Sequence, residues 1–331
     1  MNQQTVDLKE RSSFRLTDTY LLQKPSDILE DHIAYNPSAI WTVDGENTRH
    51  DVMYVRVEPN HSGSDASHIG KTVIRPYVVE VGRPDAPIRP YDDGIELKGE
   101  DPALTRINRR LASGAIESVW LLSCVVPEPE LNQPNNVATL QTRFYSGTSL
   151  GNLEEVGRGP EWMKDIRVVS MDPNDTKLGV YGRPQPETAS GNVSYTTVSD
   201  IDSLTPEAIT GASFIDENLF PVGSGRWGGA NDVIRLDRDK NLILAHRAEY
   251  VGVDGSGKRY EALLLEHRLR SNTIVDLGVL ASATMFPKGI VKDDETTDLS
   301  DVVFPGGGYN GRFSHVSFGL HDACIGIGRL S

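Results

Sequence analysis

Short runs in which β-branched and aromatic residues alternate with polar ones dominate the chain, each bounded by Gly, Pro, Asp or Asn. Five segments share a longer order: polar residue, β-type run, turn, second β-type run. The first opens at Asn36 (NPSAIWTV), turns through DGENTRH and returns as DVMYVRVE. The second opens at Asp101 (DPALTRI) and returns as SVWLLSCVV, and the third is DIRVVSM, opening at Asp165, with a DPNDT turn and KLGVYGRP. The fourth is DVIRL at Asp232, turning at DRDK into NLILAHRAEY, and the fifth is DVVFPGG at Asp301, turning at YNGRF into SHVSFGLHDA. The openings at 36, 101, 165, 232 and 301 recur at roughly 65-residue intervals, which is the signature of a repeat architecture.

Extended stretches between the paired runs, VSYTTVSD at 193–200 and KRYEALLLEHRL at 258–269, supply outer strands, giving about four strands per unit. Helical signal is confined to DILEDHI at 27–33 and SLTPEAI at 203–209, the latter with a Ser N-cap and a Pro. Two sandwiches, or a sandwich plus a barrel, would also accommodate short strands with turn signals. The regular spacing favours an all-β, five-bladed β-propeller forming a single domain over residues 1–331. In such a fold the innermost strands converge on one axis, so the five opening residues face a common pocket.

Composition narrows the function classes. Lys and Arg total 33 against 47 Asp and Glu, a net charge of −14, which argues against binding nucleic acid or an anionic membrane through bulk charge. The first residues, MNQQTVDLKERSSF, lack an apolar signal core, and no stretch approaches a membrane span, so a cytoplasmic location is expected. Cys124 and Cys324 are isolated, without the spacing of a zinc site or a disulfide framework. Oligomeric state is not legible here.

Four Asp residues at one repeat phase are the main chemical signal. A single Asp at a strand start often just caps a turn. Clustered carboxylates instead raise one another's pKa and cost stability. A protonated carboxylic acid beside ionised neighbours is what general-acid cleavage of a glycosidic bond requires. The second strands add Arg56, Arg183, His246 and Arg247, and the third opening run adds Arg167. For a lone Arg a surface ion pair is the commoner fate, but together they describe an anion cradle, since guanidinium groups bind phosphate bidentately. Gly223, Gly225 and Gly228 fit GxGxxG, and Gly252, Gly257 and Lys258 fit GxxxxGK, but strand-type runs follow both, so they read as loop glycines.

The stretches WMKDIRVVSMDPNDTKLGVYGRPQ, RWGGANDVIRL and LSDVVFPGGG resemble the domain-of-unknown-function 1861 family. That family is related to the β-mannoside phosphorylases of glycoside hydrolase family 130 and includes glycosyltransferase family 108. The resemblance spans about Tyr35 to Gly328. It implies a five-bladed propeller acting on β-1,2-linked mannosides, by phosphorolysis to mannose 1-phosphate or by mannosyl transfer from a sugar nucleotide. No cofactor is implied, and inorganic phosphate would be a co-substrate. Glu100-Asp101-Pro102 is similar to the EDP motif whose Asp is the general acid, with Ala103 where the motif has Arg. Arg56 matches the Arg of a GRVE-like strand, with Val55 in place of Gly, and FGLHDA resembles YGAAD, marking Asp322 as a sugar ligand. His246 resembles the phosphate-contacting His.

The expected site therefore has Asp101 as acid and Arg167, Arg183, His246 and Arg247 around phosphate. Asn36, Arg56, Asp165, Asn231, Asp232, Asp301 and Asp322 would hold the sugar. An inverting hydrolase with a second carboxylate such as Asp301, and a non-catalytic carbohydrate-binding propeller, are the rival readings.

Overall fold

A computed structural model describes residues 14–331 except 46–47, 61–70, 131–132, 185–190, 222, 253–255 and 293–296; side chains are not described for 129–138. The N-terminal polar segment and the middle of the 252–258 glycine run thus lie outside the described residues. The chain is all-β among them, with one short α-helix, Pro206–Thr210, and no helix long and apolar enough to cross a membrane. That helix begins two residues later than the sequence pattern implied. Thr205 rather than Ser203 is its N-cap, its hydroxyl accepting from the Ala208 N–H with Pro206 at the first turn. The DILEDHI stretch is not helical: a turn leads into the strand His32–Tyr35, whose Ile33 and Tyr35 are buried.

The strands form four hydrogen-bonded sheets. A six-stranded sheet is built around Arg49–Pro59 and Val73–Val79, and a four-stranded one runs Glu100–Arg110, Ile116–Glu130, Gln133–Gly147 and Glu154–Glu161. The third comprises Met163–Ser170, Leu178–Pro184, Ser194–Val198 and Ser213–Phe214. The fourth, of eight strands, is two antiparallel stretches joined by a short parallel pairing, Gly257 to Asp298, Arg259 to Asp301 and Tyr260 to Val302. Its last stretch is completed from the other end of the chain, where Leu16–Leu21 pairs with Cys324–Leu330.

Apolar residues fill the spaces between these sheets. Ile107, Val119, Leu121 and Phe144 of the second sheet pack on Ile166, Val168, Leu178 and Val180 of the third. Val169 and Tyr181 of the third pack on Ile243, Ala245 and Leu263 of the fourth. Burial of this kind is the main stabilising term, and here it fixes each sheet against the next so that the strands opening at Asp101 and Asp165 start side by side.

Those openings share a local device. Residues 101–102 bulge between the register pairs Glu100–Val125 and Ala103–Ser123, and 165–166 bulge between Lys164–Arg183 and Arg167–Tyr181. Asp101 and Asp165 take left-handed backbone, φ 52° and 53°, as does Asn36 at 45°. Asn and Asp tolerate this region better than other L-residues, and a bulge re-aims the side chain off the regular alternation.

Candidate functional site

Two clusters of charge lie next to each other where these strands begin. In the first, the Asn36 amide donates to Asp101 Oδ1 (3.0 Å), and Arg56 Nη1 sits 3.5 Å from the same oxygen and 2.6 Å from Glu100 Oε2. The other side of the guanidinium grips Glu58 Oε2 through Nη2 (2.7 Å) and Nε (3.0 Å). Glu58 also accepts from Tyr35 Oη (2.7 Å) and Lys292 Nζ (2.5 Å). Burial alone would push the Glu58 carboxyl up, but Arg56 and then Lys292 outweigh it and hold the group down at about 2.

Asp322 completes this cluster from the hairpin after Leu320, where His321 and Asp322 both adopt positive φ, 56° and 49°. Its carboxyl behaves oppositely to Glu58. Burial dominates, Arg56 and Lys292 only partly offset it, Asp101 and Glu58 add repulsion, and the proton is retained up to about 6. A carboxyl that keeps its proton in this range, beside the ionised Glu58, is suited to donating a hydrogen bond to a sugar oxygen.

The second cluster centres on Asp165, which is 1% exposed. Its Oδ2 lies 2.7 Å from Arg183 Nε, and its Oδ1 lies 3.9 Å from Arg167 Nη2. Burial opposes ionisation, yet the cations, Arg183 foremost, keep the carboxyl below its ordinary value. A Cβ at residue 229 would come within 2.4 Å of Asp165 Oδ2, so Gly229 is what allows the carboxylate to sit against the neighbouring sheet.

His246 is fully buried, and burial drives its pKa down to about 3. Its Nδ1 lies 2.7 Å from Asn231 Oδ1, an acceptor, so Nδ1 carries the proton and the bare Nε2 faces Arg183 Nη1 at 3.5 Å. His246 is therefore a neutral group that orients Arg183. It does not add a positive charge.

The remaining expected residues divide. Arg167 donates to the backbone oxygens of Asn231 (2.7 Å) and Ile166 (3.2 Å). With Ser123 and Asp232 it lines a recess of about 10 Å³, room for one water and not for phosphate. Asp232 accepts from the Gly308 N–H (2.9 Å) and its neighbour Val233 N–H (2.8 Å), so it clips two strands together, and burial raises its carboxyl. The bulge of that strand falls at Asn231, between the pairs Ala230–Ala245 and Asp232–Leu244.

Asp301 is not brought to either cluster. It pairs with Arg259 (2.7 Å), and its side chain is 39% exposed. The bulge of its strand is at Gly306, so Asp301 lies out of phase with Asp101 and Asp165. Arg247 likewise points away, held by Glu261 at 2.5 Å, because strand side chains alternate and His246 takes the inward face.

Several participants escaped the repeat pattern. Lys164, one residue before Asp165, reaches Glu100 Oε1 at 3.5 Å, and Lys292 arrives from the connection leading into the strand Asp298–Tyr309. Glu58 was within reach of a sequence signal, since it stands two residues after Arg56 on the same strand face. Tyr260 and Phe304, whose rings lie 5.7 Å and 5.0 Å from that of His246, carry no polar marker that would single them out.

The family model described as protein of unknown function (DUF1861) matches residues 21–323. Among solved structures, the chain is similar to MPT-1, a GDP-Man-dependent mannosyltransferase from Leishmania mexicana, at 21% identity and a TM-score of 0.73, covering 95% of this chain and 89% of that one. It is similar to MPT-4, a mannose phosphorylase from the same organism in complex with phosphate ion, at 20% identity and 0.74, covering 95% and 88%. A β-1,2-mannobiose phosphorylase from Listeria innocua follows at 13% identity and 0.58, covering 95% and 97%. No curated protein matches the chain.

Proposed function

The chain belongs to the DUF1861 family, and from that premise we propose that it is a mannoside-active enzyme, a β-1,2-mannoside phosphorylase or mannosyltransferase working by a single inverting displacement. The observation that carries this reading is the meeting of Asp101 and Asp322 with Arg56 and Lys292 beside the Arg183–Asp165 pair. An acid and a set of fixed cations in one place is what phosphate-dependent cleavage of a glycosidic bond needs. Similarity in fold to a mannosyltransferase and two phosphorylases supports it further.

In this mechanism a phosphate oxygen attacks the anomeric carbon while the bond to the leaving oxygen breaks on the opposite face. Asp101 delivers the proton to that oxygen, directly or through a substrate hydroxyl. Asp322 hydrogen-bonds a sugar hydroxyl. Phosphate is already an anion, so no second base is required, and Lys164, Lys292 and Arg183 supply positioning and charge. In the reverse or transfer direction the same groups hold the phosphate of mannose 1-phosphate or of a sugar nucleotide.

We read the architecture as one five-bladed propeller domain. Supporting this, the eight-stranded sheet divides into two antiparallel stretches at its short parallel pairing, which with the other three sheets makes five units. The two free thiols, Cys124 and Cys324, suit a cytoplasmic setting.

Incubating the protein with β-1,2-mannobiose, with and without inorganic phosphate, tests the reading. Mannose 1-phosphate formed only with phosphate, or mannosyl transfer from GDP-mannose, is the expected result. Turnover independent of phosphate would make the protein a hydrolase, and sugar binding without product under any condition would make it a non-catalytic module.

A further inference from the structure

A line of aromatic rings runs from the buried His246 to the surface. Tyr260 stacks on the imidazole with centroids 5.7 Å apart and planes 22° from parallel. Trp227 meets Tyr260 edge-on at 6.0 Å and lies 5.0 Å from Tyr250, whose side chain is 61% exposed. The strand register explains the alignment. Gly229, His246 and Ala262 form one row, Trp227, Ala248 and Tyr260 the next row but one, and Tyr250 with Lys258 the row beyond. Side chains two residues apart share a sheet face, so all three rings stand on the face that carries His246, around a fully buried Ala248.

The inner end of this line belongs to the site. The Tyr260 phenol lies within electrostatic reach of Arg183, Asp322 and Asp165. On the opposite face of these strands, by the same alternation, Arg226 pairs with Glu249 (2.9 Å), Arg259 with Glu249 (3.4 Å) and Asp301 (2.7 Å), and Arg247 with Glu261 (2.5 Å). On the ring face the charged neighbour of Tyr250 is Lys258, in its own row.

We propose that Tyr260, Trp227 and Tyr250 form a series of subsites for successive pyranose rings of the glycan, and that this surface sets the chain length the enzyme prefers. The proposal rests on the reading of the site as one that breaks or forms glycosidic bonds. A pyranose presents an apolar C–H face for stacking on an aromatic ring and a rim of hydroxyls for polar neighbours, which matches the ligand this surface is built for. A nucleobase would also stack on such rings, and comparing oligosaccharide with sugar-nucleotide kinetics separates the two.

The test compares β-1,2-mannobiose through mannopentaose as substrates for the wild type, Tyr250→Ala and Trp227→Phe. Tyr250→Ala is expected to raise KM for the tetramer and pentamer about five- to tenfold, in line with the loss of one aromatic stacking contact. KM for inorganic phosphate should move less than about twofold on the same scale. Trp227→Phe, which keeps a smaller ring, should fall between wild type and Tyr250→Ala. An unchanged KM at every chain length overturns the proposal, as does a change confined to the sugar nucleotide. If the wild type turns over nothing, calorimetric titration with the same oligosaccharides separates the two ideas. Binding that Tyr250→Ala weakens sustains the subsites while the catalytic reading fails, and no binding by the wild type overturns them. Because Tyr250 is largely exposed, its replacement leaves the fold intact, which the melting temperature checks.

Discussion

Asp101 and Asp165 occupy the same kind of position, a left-handed residue at a bulge opening a strand, yet they end in opposite circumstances. The Asp101 side chain is 12% exposed and shares Arg56 with Glu58 and Glu100, while that of Asp165 is 1% exposed and closed in by Arg183, Arg167 and Gly229. Equivalent backbone geometry thus yields two environments. One carboxylate is left partly open, and the other is enclosed by the cations around it. What differs is the neighbouring strand: Arg56 is divided among several carboxylates, whereas Arg183 has Asp165 nearly to itself.

Asp101→Asn separates the two most sharply. It should lower kcat on the order of 10²–10⁴-fold, the range for loss of a general acid, while circular dichroism and melting temperature stay close to wild type. Asp165→Ala should do the reverse. Leaving Arg183 buried without its partner should destabilise the protein by about 3–5 kcal/mol, read from denaturant unfolding, and weaken phosphate binding because His246 alone does not hold the guanidinium.

A smaller effect concerns Asp322. Its folded pKa is raised from 3.8 to about 6, so its contribution to stability is present in full below the unfolded value and lost as pH rises through the folded one. Stability should decline between about pH 4 and 6, and a basic limb near 6 should appear in the pH dependence of kcat/KM. Asp322→Asn should flatten both. Least of all, Asp301→Ala should change stability by no more than about 0.5 kcal/mol, since its pair with Arg259 is solvent-screened, and a large loss of activity would bring Asp301 back into the chemistry.

The repeat in the sequence located the β-strands because β-type runs and turn residues are local signals, but not every opening: Asp232 falls inside Arg226–Asp237 and Asn36 lies just after the strand His32–Tyr35. It could not register the bulges. One extra residue shifts the phase of every side chain after it, which is why the fourth unit presents Asn231 at the bulge while Asp232 bonds to Gly308; in the fifth the bulge is at Gly306, so Asp301 stands well before it and pairs with Arg259. Charge type was also partly hidden. His246 reads as a possible cation in sequence, and only its complete burial against Asn231 makes it neutral. Lys292 had no motif to mark it, because its position depends on a connection crossing from one unit to meet Glu58 in another.

The pairing of Leu16–Leu21 with Cys324–Leu330 has a kinetic consequence. The contacts between Thr17 and Arg329 span a sequence separation of 312, so the last sheet receives its final strand only when both ends of the chain are available. During synthesis the other three sheets have all of their strands before that moment, while the segment around Leu16 waits for Cys324–Leu330 to be made. Joining such distant segments is entropically slow, and the closing step is where a ribosome-bound chain is most exposed to mispairing with another copy.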